Sequence, residues 1–312
     1  MSAAVAVGVF DGLHLGHRAI LERALQSARE RAGPCIVVSF DPHPDVVLAQ
    51  PFRAIAPLTP APEKRDRMLA MGVTELEVLP FTRELAALAP EEFVDRFLMA
   101  RYHPHALVVG ADFALGRGRA GNVPRLREIG ATRGFEVHAV PLLERDGAAV
   151  TSTRIRGLLE QGQVAAAARL LGRAYDLTGR VVTGDGIGRT LGMPTANLRL
   201  HDDKFVPGHG IYAVWTRIAG DPALHRGAMS VGVRPTFGGQ VRTLEVHLLD
   251  WSGDLVGKDV TVEFVEWLRP ELHFENRETL ILAMQQDLVR TRQILTARED
   301  PTSVGGIPNG GA

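Results

Sequence analysis

Residues 3–20 read AAVAVGVFDGLHLGHRAI. The apolar run from Ala3 to Val9 reads as a buried strand, and from about Leu15 to Ala32 the spacing turns helical. A strand therefore hands over to a helix inside GVFDGLHLGH. His14 and His17 lie three residues apart around the first helical turn, on neighbouring faces, where backbone N–H groups have no partner within the helix. Such a terminus attracts phosphate. Gly12 and Gly16 remove side chains where a phosphate needs close backbone approach, and imidazole N–H groups can stabilise charge growing on it. A metal-binding histidine pair, or polar residues that merely start a helix, are the competing readings. The positive helix end disfavours a protonated imidazole, so both histidines are expected to be neutral until bound phosphate raises their pKa values.

Outward from this stretch the first half keeps alternating. After CIVVSF come a helix near Glu63–Met71, TELEVLP, a helix near Glu91–Arg101, HALVVG, a helix near Val123–Arg133, and FEVHAVP. Apolar strands alternating with helices predict a parallel sheet covered on both faces, with ligands at the carboxyl ends of its strands. Residues 152–171 read as two short helices broken at Gly162. Beyond Gly172 the pattern changes to consecutive strand-like runs, TGRVVTG, GIYAVWTRI, HRGAMSVGV, RTLEVHLLD and KDVTVEFVEWL, and then a helix from about Arg277 to Ala297. That succession predicts a small antiparallel β-barrel closed by a helix. The expected division is residues 1–170, residues 171–299, and a disordered tail at 300–312 with little to bury.

The whole chain sets the outer limits. Its 312 residues suit two domains, and 45% hydrophobic with 23% charged residues is a globular composition. A net charge of −1 gives no electrostatic footprint for nucleic acid. The single cysteine, Cys35, excludes an intrachain disulfide and a cysteine-based zinc site, and reads as a small buried thiol. With no apolar stretch of spanning length and no basic-then-apolar leader, the expectation is a cytoplasmic protein without a membrane partner, a monomer or weak homo-oligomer. Lysine occurs only at 64, 204 and 258, far behind arginine.

Other strand ends of the first half also carry groups suited to phosphate: FDPHP at Phe40–Pro44, GADF at Gly110–Phe113 and TSTRIR at Thr151–Arg156. In the last, a hydroxyl of Ser152 or Thr153 can cap a helix while Arg154 or Arg156 reaches a phosphate with its planar fork. A plain cap and a rigid proline turn are the alternatives. Together GVFDGLHLGH, FDPHP, LTPAPEKR (Leu58–Arg65), GADFALGRGRAG and VTSTRIR resemble the nucleotidyltransferase module of the prokaryotic bifunctional riboflavin kinase/FAD synthetase family. The resemblance implies a Rossmann-like α/β domain in which the phosphate of FMN attacks the α-phosphorus of ATP, with Mg2+ present, and pyrophosphate leaves. It implies that His14 and His17 act on the α-phosphate region. Gly8, Phe10, Asp11, Gly16 and Asp112 would line the nucleotide pocket, and Ser152, Thr153 and Arg156 would hold the leaving phosphates.

In the second half, GDGIGRTLGMPTAN (Gly184–Asn197) is a glycine-rich turn running into Pro-Thr-Ala-Asn. Glycines let backbone N–H groups approach phosphates, and a hydroxyl and an amide close together can ligate a hard cation. The Gly-Lys-Ser/Thr ending of a P-loop is absent. In TLEVHLLD, Glu245 and His247 fall on one strand face and Leu244, Val246 and Leu248 on the other; a solvent-facing carboxylate is the plain alternative. These segments, with PGHGIYAV, RPTFGG and LRPELHF, resemble the riboflavin kinase module of the same family. That resemblance implies transfer of the ATP γ-phosphate to riboflavin, giving FMN. Thr195 and Asn197 would hold magnesium and phosphates, Gly188, Arg189 and Pro194 would lie along the nucleotide, and Glu245 would be the base. Riboflavin, FMN and FAD are then substrates or products and ATP the co-substrate.

Three alternatives remain beside this reading. A class I aminoacyl-tRNA synthetase fragment also carries His-x-Gly-His, but needs a lysine-rich loop that three scattered lysines do not supply. A non-catalytic flavin carrier would lack catalytic groups, whereas both histidines and Glu245 are present. A kinase with an impaired adenylyltransferase is the third.

Overall fold

The computed structural model of the chain describes residues 2–48, 56–184, 186, 188, 191–236 and 239–298. Arg189 and the tail at 300–312 lie outside the described residues. The chain forms two compact units, Met1–Ser152 and Thr153–Ala312.

In the first unit β1 (Ala4–Val7), β2 (Cys35–Asp41), β3 (Glu75–Pro80), β4 (Ala106–Gly110) and β5 (Glu136–Val140) form one parallel sheet in the order β3-β2-β1-β4-β5. Strand residues alternate between two cores. Val5, Val7, Ile36, Val38, Leu107 and Val109 pack with Leu126 and Ile129 of α3 (Val123–Arg133) on one side. On the other, Ala4, Ala6, Val37 and Val108 meet Leu21, Ala24 and Ala28 of α1 (Leu15–Glu30) and Met68 of α2 (Ala61–Ala70). Burial on both faces is what makes these strands apolar throughout. The chain builds outward from β1 through β2 to β3, then returns to add β4 and β5 on the other side. The carboxyl ends of β1 and β4 therefore flank a switch point, where such sheets leave room for a ligand. Cys35 is 2% exposed, and burial pushes its thiol up to about 11, which makes it a core residue rather than a nucleophile.

Some details differ from the sequence pattern. The helix expected at Glu91–Arg101 is built as Pro90–Phe93, a π-helical stretch Val94–Met99 and a last turn Ala100–Tyr102. Two short hairpins, Ala114–Leu115 with Gly121–Asn122 and Glu144–Arg145 with Ala148–Ala149, have strands too short for any periodicity to reveal.

Helices α4 (Ser152–Glu160) and α5 (Val164–Leu171) follow, separated at Gly162. Its φ of 73° and the approach of Trp267, whose Cδ1 would stand 2.7 Å from an added Cβ, leave room for glycine alone. Six strands then close an antiparallel barrel: β6 (Tyr175–Val182), β7 (Ala196–Leu200), β8 (Gly210–Ile218), β9 (Leu224–Thr236), β10 (Gly239–Leu248) and β11 (Asp259–Arg269), in the order β6-β7-β10-β9-β8-β11 with β11 returning to β6. The Pro-Thr-Ala-Asn segment thus runs directly into a sixth strand that the sequence pattern did not separate. Tyr212 and Phe264 meet edge to face at 5.0 Å, and both are fully buried. Phe264→Ala is expected to cost about 3–5 kcal/mol of stability, read by urea unfolding. Alternate residues of the same strands, Ala213, Trp215, Val265 and Leu268, pack instead with Leu295 of α6 (Arg277–Ala297), whose N-cap Asn276 accepts the Thr279 N–H. Strand pairing closes the barrel, and the helix covers one of its outer faces.

Candidate active sites

The turn after β1 is backbone under constraint. Phe10 (φ 52°), Gly12 (φ 85°) and Leu13 (φ 44°) all adopt left-handed conformations, which two bulky apolar residues do not take without support. Support comes from several directions. The Asp11 Oδ1 accepts the Thr59 N–H at 3.1 Å, and the Ser152 hydroxyl donates to the Asp11 carbonyl at 2.8 Å. The Val9 carbonyl accepts from the Ser39 hydroxyl at 2.9 Å and from the Lys64 ammonium at 2.8 Å. Lys64 also donates to the Ser39 oxygen at 3.2 Å. Only 6% exposed, it has its pKa lowered by burial, with Asp11 and Asp41 pulling the other way.

His14 ends this turn as the N-cap of α1, its Nδ1 accepting the His17 N–H at 3.3 Å. A ring nitrogen that accepts carries no proton, so the cap selects a His14 tautomer or state with Nδ1 bare. The two imidazoles stack at 3.6 Å with 18° between planes, and Phe10 meets His17 edge to face at 5.4 Å. The surrounding protein desolvates His17, and this, followed by the fields of His14 and Lys64, holds its pKa well below the usual histidine value. Its Nδ1 is buried with no hydrogen-bond partner among the described residues. The neutral pair expected at this helix start is the state these contacts favour for His17.

Of the remaining candidates of this half, Gly8, Gly16 and Ser152 fall at the same turn. The ring of Phe10 lies over Gly8, where an added Cβ would stand 3.1 Å from it. Gly16 leaves the space into which the His14 ring folds. Asp112 is exposed just past β4, across the switch point from Asp11. Ser152 starts α4, and Thr153 and Arg156 follow on that helix. Lys64 and Ser39 went unrecognised by sequence reasoning; the one available signal was a lysine in a chain that otherwise prefers arginine.

The second cluster lies on the barrel. In the ladder between β7 and β10, Asn197 pairs with Glu245, and on the other side Ser230 of β9 pairs with Glu245. Residues at matched register point to one face, so Asn197, Glu245 and Ser230 share a wall. Leu244, Val246 and Leu248 are buried, while Thr243, Glu245 and His247 keep partial exposure, as the two-face reading of TLEVHLLD expects. Thr195, two residues before Asn197, donates its hydroxyl to Glu245 Oε2 at 3.0 Å. These side chains line a cavity of about 470 Å³ that continues past Gly188 and is bounded on another side by Arg269 and residues of α6. That size suits a small-molecule site. The Arg269 guanidinium grips Asp287 of α6 through both carboxylate oxygens and fixes that wall. The Gly184 backbone passes so close to Asn197 that a Cβ there would fall 2.1 Å from Asn197 Nδ2. Pro194 lies between the glycine turn and the strand.

Known proteins match both halves. A family model described as FAD synthetase matches residues 1–154, and one described as riboflavin kinase matches residues 171–295. The chain is 36% identical over 297 residues to the bifunctional riboflavin kinase/FMN adenylyltransferase of Listeria monocytogenes, covering 95% of this chain and 93% of that one. Its identity to the protein of the same description from Pseudomonas fluorescens is 39% over 294 residues, covering 92% and 91%. A crystal structure described as a macrolide-efflux protein from Streptococcus pneumoniae shares the fold at a TM-score of 0.85 and 32% identity, over 93% of this chain and 94% of that chain. No helix among the described residues of this chain is long and apolar enough to cross a membrane.

Proposed function

Because the chain belongs to the bifunctional riboflavin kinase/FMN adenylyltransferase family, we propose that its two clusters divide two successive reactions between them. The protein is an enzyme that phosphorylates riboflavin to FMN and adenylylates FMN to FAD. Residues 171–299 carry the kinase and residues 1–170 the adenylyltransferase, with ATP as donor in each.

In the kinase, Glu245 takes the proton of the riboflavin 5′-hydroxyl as that oxygen attacks the γ-phosphorus, the bond from that phosphorus to the bridging oxygen breaks and ADP leaves. The observation that carries this assignment is the Thr195–Glu245 hydrogen bond beside Asn197, which puts a carboxylate base and two neutral oxygen donors on one cavity wall. Those donors suit magnesium, which prefers hard oxygens and completes its shell with water and phosphate. Among the described residues no group of three or more His, Cys, Asp or Glu gathers as a cage of protein ligands alone. Thr195 and Asn197 would hold the ion, and magnesium bound there would offset negative charge on the phosphates. Gly188 and Pro194 would lie along the nucleotide, the place the family resemblance also gives Arg189.

In the adenylyltransferase, the N-terminus of α1 and the N–H groups of His14 and His17 stabilise charge that grows on the α-phosphate as the FMN phosphate attacks and pyrophosphate leaves. Gly8, Phe10, Asp11, Gly16 and Asp112 shape the nucleotide pocket. Ser152, Thr153 and Arg156 hold the departing phosphates.

Labelled ATP tests the division. With riboflavin, γ-labelled ATP is expected to label FMN; with supplied FMN, α-labelled ATP is expected to label FAD. Label from the γ-position in FAD made from supplied FMN would contradict the second assignment. Gly184→Ala must displace Asn197, so it is expected to lower riboflavin phosphorylation about tenfold or more while FAD formation from FMN holds. Steady-state assays of both reactions read this outcome.

A further inference from the structure

The ladder between β7 and β10 stops one rung short of the candidate catalytic hydroxyl. Ala196 pairs with Val246 and Asn197 with Glu245, and the same register carried one step further would set Thr195 opposite His247. No backbone pair forms there. The His247 side chain supplies a bond in its place, with Nδ1 lying 2.8 Å from the Pro194 carbonyl oxygen.

A carbonyl oxygen can only accept, so Nδ1 must be the donor and must carry the proton. In the neutral ring this leaves Nε2 bare. The bond fixes the peptide unit that joins Pro194 to Thr195, one residue from the hydroxyl that donates to Glu245 at 3.0 Å. On the amino-terminal side the segment is held by the Met193 N–H, which donates to the Gly188 carbonyl at 2.9 Å. The piece of chain between that bond and the first ladder rung, Pro194 and Thr195, carries the hydroxyl of the site. It is held at one end by a backbone bond and at its centre by the imidazole.

We propose that His247 is a positioning residue of the kinase. Its Nδ1–H stands in for the missing ladder rung, clamps the Pro194 carbonyl and thereby aims the Thr195 hydroxyl at Glu245. The inference rests on the kinase assignment made above. His247 touches no reacting atom in this account; it acts through Pro194 and Thr195. Displacing a positioned group by about 1 Å can cost on the order of 100-fold in rate, so the clamp is worth a measurable part of kcat.

The two ring nitrogens give the test, because asparagine places an N–H near the Nδ1 position and glutamine near Nε2. His247→Asn is expected to keep kcat for riboflavin phosphorylation within about threefold of the unaltered enzyme, whereas His247→Gln and His247→Ala lower it about 10- to 100-fold. FAD formation from supplied FMN is expected to hold in all three. Rescue by glutamine but not asparagine would overturn the proposal and move the role to Nε2. An unchanged kcat in all three variants would overturn it also. A measurement on the unaltered protein keeps the test independent of how the variants fold: imidazole 15N shifts of the neutral His247 ring should show its proton on Nδ1, and the opposite tautomer cannot make the bond. The kinase assignment fails separately, through a Glu245→Gln enzyme that still phosphorylates riboflavin at full rate.

Discussion

Glu245→Gln is expected to lower riboflavin phosphorylation by about 10²–10⁴-fold, the usual worth of a general base, while FAD formation from supplied FMN stays at the unaltered rate. The size of the effect follows from how little else the substitution changes. Glutamine has the shape of glutamate and retains a carbonyl oxygen for the Thr195 hydroxyl that now donates to Oε2. The strand pairs that place residue 245 between Asn197 and Ser230 are backbone bonds and persist. What disappears is a carboxylate able to take a proton. Thermal unfolding alongside the two assays separates lost chemistry from lost fold. A drop of less than tenfold, or an equal drop in both reactions, would contradict the role.

His17→Ala is expected to have the opposite signature: FAD formation falls about 10²–10³-fold, as for loss of a donor aimed at developing charge, and FMN accumulates from riboflavin. The imidazole is held for this task by the stacked His14 ring, the edge contact from Phe10 and the turn beneath it. Burial, His14 and Lys64 all disfavour its protonated form. In the ligand-free enzyme it is therefore expected to remain neutral as pH falls through about 6.5, the ordinary histidine value, and to gain its proton only in more acid solution. A bound triphosphate reverses the sign, since nearby negative charge favours the cation, and its titration moves upward. NMR titration with and without a nonhydrolysable ATP analogue measures both. A midpoint at the ordinary value without ligand, or no movement with it, would contradict this electrostatic account.

Much of this is legible in the sequence alone. The handover from AAVAVGV to α1 placed His14 and His17 at a helix start at the end of a buried strand, and β1 lies beside the switch point where ligands bind. The alternation around Glu245 put it on the exposed side of its strand. What escaped depends on partners distant in sequence. Lys64 lies in the charged helical stretch APEKRDR, yet it is buried because Val9, 55 positions away, and Ser39, 25 away, supply its acceptors. The left-handed backbone at Phe10 and Leu13 contradicts local preference and holds because Thr59 and Ser152 brace Asp11 between them. β7 escaped because five residues after a proline carry little periodicity; its neighbours β6 and β10 make it a strand. The hydroxyl and amide needed beside Glu245 were visible in PTAN, but their placement on one wall came only from register.

The central claim is that one chain makes FMN and then FAD, and a single time course tests it most directly. Purified protein is incubated with riboflavin, ATP and magnesium, and flavins are separated by chromatography at intervals. The account predicts that FMN appears first and FAD follows as FMN is consumed, with pyrophosphate released in step with FAD. Formation of neither flavin product, or of FMN that never proceeds to FAD even when ATP is in excess, would contradict it.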